Sequence, residues 1–311
     1  MHSLLHSLLH SLSPPFCNSF HCMGEVDRLF LFLGRSVILI IILYFILVGA
    51  KSGLMIYVYI GAAILIFLLG LLFFMWKEAH LNEIKEKTLS FRRYPKGKPL
   101  TFFFISDIHR RTIDRSILQQ LKGKVDFIII GGDLGEQGVP LQRIDYNLGL
   151  LGETAPVFFV WGNNDYELPE DKLRQLFKKH KILPLRNESY PLIPDSEPPV
   201  YLMGVDDFSK GKSDKASAFA RVPSEAFKIF VSHNPFFAKK LTKGDGVSLF
   251  LSGHTHGGQI RLFNRGLYQK GGWEKQGGMM VLVSNGYGTT AVPLRLGARA
   301  ETHLITIHSE E

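Results

Sequence analysis

Five short segments concentrate side chains that bind metal ions: Asp107-Ile108-His109, Gly131-Gly132-Asp133, Gly162-Asn163-Asn164-Asp165, Ser232-His233-Asn234-Pro235 and Gly253-His254-Thr255-His256. Carboxylate oxygens, imidazole nitrogens and an amide oxygen together suit divalent cations such as manganese, iron, zinc or nickel. Singly, each segment has a plainer reading. An Asp after an apolar run more often closes a turn or caps a helix, and a lone His such as His233 is more often packed or exposed. His254 and His256 are more specific, because residues two apart on an extended segment point the same way. The weight lies in the set, since each of the five follows a short apolar run.

Those runs are the elements that must position the chemistry. Thr101–Ser106, Phe127–Ile130, Val157–Val160, Val200–Gly204, Lys228–Val231, Leu249–Leu251, Met279–Val283 and Thr302–Ile307 read as strands. Helices are expected over Arg115–Leu121, Leu141–Leu151 and Glu170–His180. Alternation of the two predicts an α/β domain over residues 100–311, long enough for a full core. Both cysteines, Cys17 and Cys22, precede it, so neither a disulfide framework nor a cysteine zinc site can hold that domain.

The 311-residue chain carries a net charge of +8, with 46% hydrophobic residues. The charge is unevenly placed: +1 over residues 1–76, +4 over 77–98 and +3 over 99–311. A nearly neutral large domain argues against a basic groove tracking a nucleic-acid backbone, so no nucleic-acid partner is expected. Residues 1–28 form a low-complexity leader in which His2, His6 and His10 recur every four residues; a start at Met23 is the alternative. Leu29–Ala50 is apolar but for Arg35, and Gly53–Trp76 has no charged residue. As a helix the second would be roughly 36 Å long, enough to span a bilayer. With only Lys51 and Ser52 between them, the two predict a transmembrane hairpin over 29–76. A signal sequence fits the first poorly, for want of a cleavage site. Lys77, Lys85, Lys87, Arg92, Arg93, Lys96 and Lys98 follow in a basic neck (77–99), read as helical over 77–94, which places the large domain on the cytoplasmic side of the cell membrane.

The order and spelling of the five segments resemble the calcineurin-like metallophosphoesterase family, whose pattern is D-x-H, G-D, G-N-H-[DE], H and G-H-x-H; the resemblance covers residues 100–307. The run Gly253–Gln259 and the segment Gly204-Val205-Asp206-Asp207 look like its bacterial membrane-anchored branch. The resemblance implies a four-layered α/β/β/α sandwich with two divalent metal ions at one edge. Asp133 would bridge the ions; Asp107, His109 and His256 would complete one shell, and Asn163, His233 and His254 the other. Ions about 3.5–4 Å apart would activate a bridging hydroxide for in-line attack on a phosphodiester or pyrophosphate. The substrate class would be a phosphorylated small molecule or a lipid-linked one, including nucleotide-linked acyl sugars such as UDP-diacylglucosamine.

One position departs from the pattern: Asn164 stands where the family has the histidine credited with protonating the leaving group. An amide donates a hydrogen bond but transfers no proton at neutral pH. A preference for good leaving groups, such as the phosphate half of a pyrophosphate, is therefore expected. Asp165 reads as a support for a ligand. Arg110 and Arg111 are candidates for substrate phosphate or an exposed charged pair, and Gln259 for substrate contact or a loop tie. Residues 208–216 read as a lid or as plain surface, and Phe236 and Phe237 as core, with an acyl-chain contact as the alternative. The rival reading is a membrane-tethered scaffold that keeps the fold without catalysis.

Overall fold

The computed structural model describes residues 55–263 and 265–310. The leader and the first apolar stretch, 29–50, lie outside the described residues. The chain divides into two units, residues 1–72 and 73–311. Helix α1 (Met55–Ala79) supplies the described part of the first unit. Among the described residues it is the one helix long and apolar enough to cross a membrane, with a mean hydropathy of 2.7 and only 6% of that window buried. The expected hairpin is thus represented by one helix.

In the second unit, β1 (Glu83–Phe91), β2 (Leu100–Ile105), β3 (Phe127–Ile130), β4 (Val157–Phe159), β5 (Leu183–Pro184) and β12 (Glu301–Ser309) form one sheet, ordered β1-β12-β2-β3-β4-β5. The other is ordered β10-β11-β9-β8-β7-β6, from β6 (Glu188–Ile193), β7 (Val200–Gly204), β8 (Phe227–Val231), β9 (Val247–Ser252), β10 (Gly272–Gln276) and β11 (Met279–Val283). Helices α2 (Arg115–Leu121), α3 (Leu141–Gly152) and α4 (Glu170–His180) cover the first sheet, while α5 (Lys215–Phe219) and a 3-10 turn at Pro235–Lys240 pack on the second.

Strand β2 shows why the layers assemble. Its residues are almost wholly buried, with Phe103 and Ile105 packed toward the helices and Phe102 and Phe104 packed between the sheets. Ile128 and Ile130 against Phe127 and Ile129 repeat this in β3, and Phe250 against Leu249 and Leu251 in β9. A strand apolar on both faces is stable only when covered on both. Because β2, β3 and β4 run parallel, as do β7, β8, β9 and β11, their C-terminal loops gather on one side of each sheet.

The neck differs from the helix expected over 77–94. Residues 83–91 are β1, paired in parallel with β12 from Glu83↔Glu301 to Phe91↔Ser309. Its Lys and Glu residues suggest a helix, but pairing with β12 and packing of Ile84 and Leu89 decide the local structure. The last turn of α1 is fastened to the same unit. Arg295 N donates to Met75 O (3.0 Å), Ala300 N to Glu78 O (3.2 Å), and Gly297 N and Arg299 Nε to the Glu78 carboxylate, both at 2.9 Å. The Glu78 carbonyl, which the helix end leaves without an intrahelical partner, is thereby satisfied.

Lys85 of the neck pairs with buried Glu301, which also accepts from Asn285 N (2.9 Å). Burial alone would raise the Glu301 pKa, but His303, the Asn285 N–H and Lys85 outweigh it and hold the carboxyl at about 2. A pKa depressed on folding stabilises above the unfolded value of ~4.3, and that contribution is lost as pH falls toward the folded one. Glu301→Gln should therefore cost about 1–3 kcal/mol at neutral pH. Its deficit against wild type should shrink between about pH 4.3 and pH 2. Unfolding midpoints of the full chain in detergent across that range check this.

Candidate metal centre

The five ligand-rich segments converge. Asp107 and His109 follow β2, Asp133 follows β3, Asn163 to Asp165 follow β4, His233 follows β8, and His254 and His256 follow β9. Two groupings have ligand atoms within 4.8 Å of one another: Asp107 with His109 and His256, and Asp107 with Asp133 and His233. The Nε2 atoms of His109 and His256 are 3.1 Å apart, and His254 Nδ1 is 3.3 Å from His233 Nε2. Asp133 Oδ2 lies 3.1 Å from His233 Nε2 and 3.7 Å from His109 Nε2. Asn163 Oδ1 is buried without a hydrogen-bond partner. Buried polar atoms without partners are costly, and imidazole nitrogens facing each other cannot both offer lone pairs unless a cation lies between. The donor set thus fits divalent metal.

Local backbone geometry explains the convergence. Of the ten non-glycine residues with positive φ among the described residues, six are Asp107, His109, Asp133, His254, His256 and Gln259. Such conformations cost free energy and persist where the surroundings fix them. Asp165 is one such constraint. Its carboxylate accepts from Asp133 N, Leu134 N and Gly162 N, all at 2.8 Å, as expected for a supporting residue. Gly132 is another: at φ +89°, a Cβ there would sit 2.5 Å from His233 Nδ1.

Hydrogen bonds set which ring nitrogens face inward. His233 Nδ1 donates to Gly131 O (2.8 Å), freeing Nε2 toward Asp133. Burial works against protonating His233, but the Asp133 carboxylate outweighs it and pushes the pKa up to about 10. Burial, His109 and Arg295 hold His256 well below its usual value, in the neutral form that donates a lone pair. His109 Nδ1 lies 3.0 Å from Glu136 Oε2, which leaves its Nε2 toward His256.

Three contributors lie outside the five ligand-rich segments. Glu136, buried, holds His109 and also takes Arg110 Nε. Arg295, fully buried, places Nη2 3.2 Å from His256 Nδ1 and donates to Asn285 O (2.6 Å) and Ala298 O (2.8 Å); burial pulls its pKa down to about 10. Asp207 is buried beside His233 and His254, burial raises its pKa, and its Oδ2 has no hydrogen-bond partner. Glu136 and Arg295 lie in no motif, whereas Asp207 ends the Gly204–Asp207 segment that carries part of the family resemblance.

The substrate candidates fare less well. Arg110 does not line the cavity over the centre; its side chain, 66% exposed, is tied to Glu136. Arg111 is turned away, donating to Ala79 O (3.2 Å), Leu81 O (3.1 Å) and Tyr287 O (2.6 Å) with its guanidinium 3.6 Å from the Tyr287 ring centre. Gln259 lines the cavity, but its amide donates to Thr290 O (3.0 Å) and Val292 O (3.1 Å) and accepts from Thr290 N (3.0 Å), so it ties two loops. Asn164 also lines the cavity. Its N–H donates to Asp133 Oδ1 (2.8 Å), its Oδ1 takes Asn163 Nδ2, and its Nδ2 lies 3.5 Å from His109 Nδ1. The 208–216 stretch is held in place: Asp214 caps α5, and Asn187 Oδ1 accepts from both Asp206 N and Asp214 N. Phe237 is core, as expected, whereas Phe236 is 46% exposed.

Several known proteins are similar to this chain. The Bacillus subtilis protein YpbG is 42% identical, over 76% of this chain and 92% of its own length. A Bos taurus transmembrane protein with a metallophosphoesterase domain is 28% identical over 68% of this chain and 54% of its own. The solved structure of Haemophilus influenzae NAD nucleotidase superposes with a TM-score of 0.44 and 15% identity, covering 61% of this chain and 51% of that one. The family model described as calcineurin-like phosphoesterase matches residues 100–258, which reach from β2 through the Gly253-His254-Thr255-His256 run. The chain belongs to the calcineurin-like phosphoesterase family.

Proposed function

We propose that this chain is a membrane-anchored, two-metal phosphohydrolase that cleaves phosphodiester or pyrophosphate bonds. The observation that carries the reading is the clustering of Asp107, Asp133 and four histidines beside a cavity that Asn163, with its unpartnered Oδ1, also lines. In this reading Asp133 would contribute to both ions, Asp107, His109 and His256 would hold one, and Asn163, His233 and His254 the other. When bound, the ions supply Lewis acidity toward phosphoryl oxygens and lower the pKa of water from ~15.7 to about 7. The protein's own share is placement: Glu136 and the Gly131 carbonyl orient His109 and His233, and Asp165 fixes the Asp133 backbone.

Asn164 shapes the substrate preference. Its amide faces the cavity, where it can donate to a phosphoryl or leaving oxygen, but it holds no proton to give. A pyrophosphate needs that proton least, since its leaving phosphate is already a stable anion. A lipid-linked pyrophosphate of the nucleotide-linked acyl sugar type, such as UDP-diacylglucosamine, suits both this preference and an anchor that keeps the enzyme among lipids. Helix α1 is taken as a transmembrane span, 29–50 as a second one, and the basic residues from Lys77 onward place the catalytic domain on the cytoplasmic side.

Two variants test the assignment. Asp133→Ala should lower manganese-dependent hydrolysis of bis-p-nitrophenyl phosphate by more than the ~10–100-fold that loss of a supporting partner costs. Absence of metal-dependent hydrolysis in both proteins would favour the scaffold. Asn164→His should raise turnover of an alkyl phosphate monoester by about tenfold or more, while changing pyrophosphate turnover less. No gain on the monoester would remove the leaving-group argument.

A further inference from the structure

The segment after the last histidine presents apolar side chains to solvent beside the metal cavity. Leu262 N donates to Arg265 O (3.0 Å) and Arg265 N to Leu262 O (2.8 Å), closing a tight hairpin. Phe263 is 98% exposed, Leu267 93% and Leu262 63%, with Phe263 held at φ +49°. Leu267 and Tyr268 also line the cavity over the metal centre. Residues 259–270 include no acidic residue, and of their cations Arg265 and Lys270 are exposed while Arg261 donates to Gly257 O (2.8 Å) and Tyr268 O (2.5 Å). Exposed large apolar groups flanked by cations are what an anionic bilayer surface accommodates: the rings and alkyl chains enter the acyl boundary while the cations stay with the phosphates.

The hairpin base is tied to the end of α1 by three consecutive residues. Arg295 N donates to Met75 O, Gly297 N bonds Glu78, and Leu296 between them donates to Gln259 O (2.9 Å) and accepts from Arg261 N (2.8 Å). Given a Cα step of 3.8 Å and a strand spacing near 4.8 Å, the hairpin base lies within about 10 Å of the last turn of α1. That turn carries Trp76 followed by Lys77, the residue types that mark a membrane–water interface.

We infer that the 260–268 hairpin is a membrane-docking surface: Leu262, Phe263 and Leu267 seat in the headgroup layer of the bilayer that α1 crosses, and the metal cavity opens at that surface. The inference rests on the reading of α1 as a transmembrane span. It makes no use of catalysis.

The test labels the full chain with an environment-sensitive fluorophore at Phe263→Cys, with Cys17→Ser and Cys22→Ser removing the native thiols. The protein is reconstituted into phosphatidylcholine–phosphatidylglycerol vesicles containing a spin-labelled quencher lipid, and a label at Lys172→Cys on α4 serves as the aqueous control. Quenching at 263 several-fold stronger than at 172 is the expected result. Equal quenching in protein that floats with the vesicles overturns the docking surface alone. A blue-shifted but unquenched label shows a protein contact instead and also overturns it. Protein that fails to float overturns the transmembrane reading of α1 and this inference with it. Hydrolysis of bis-p-nitrophenyl phosphate by the same sample reads the phosphohydrolase assignment separately, so quenching without manganese-dependent turnover leaves the docking surface standing.

Discussion

The structure turns on how Asp133 is held. Its N–H donates to Asp165, its carbonyl accepts from Ile108 N (2.8 Å) and His109 N (3.2 Å), and its carboxylate takes Asn164 N on one oxygen while the other faces His233 and His109. One residue thereby joins the loops after β2, β3, β4 and β8. A buried carboxylate is costly unless paired, and this one is surrounded by groups that a cation would organise. Burial opposes ionisation of Asp133, but the His233 and His109 rings outweigh it and keep its pKa depressed.

The two-sheet architecture is what permits that meeting. Parallel strands in both sheets send their loops to one side, and the apolar layer between the sheets fixes their spacing. The backbone strain at Asp107, His109, Asp133, His254 and His256 is tolerated because hydrogen bonds and a tightly packed glycine leave few alternatives. Stability elsewhere thus supports an arrangement that is locally unfavourable.

The eight strands expected from sequence are all present, with ends shifted by at most two residues, and Phe127–Ile130, Val200–Gly204 and Met279–Val283 coincide. The strands that sequence reading missed are β1, β5, β6 and β10, which are the four sheet edges. An edge strand has one unpaired side and carries charge and polarity there, so β1 and β10 lack the apolar run that marks an interior strand. The site divides along a similar line. Ligand-type residues announce themselves by chemistry and spacing, whereas Glu136 and Arg295 act on His109 and His256 from distant loops that only folding brings near. Arg110, Arg111 and Gln259, close to the motifs in sequence, are hydrogen-bonded to Glu136, Tyr287 and Thr290. The neck charge also changes meaning: Lys85, Arg92 and Lys98 pair with Glu301, Glu310 and Asp126 of the domain.

The central claim is that seven side chains organised by Asp133 hold two divalent ions. Elemental mass spectrometry of the full chain, purified in detergent after manganese loading and removal of free metal, measures this directly. The account predicts two ions retained per chain. A single ion, or none, would contradict it.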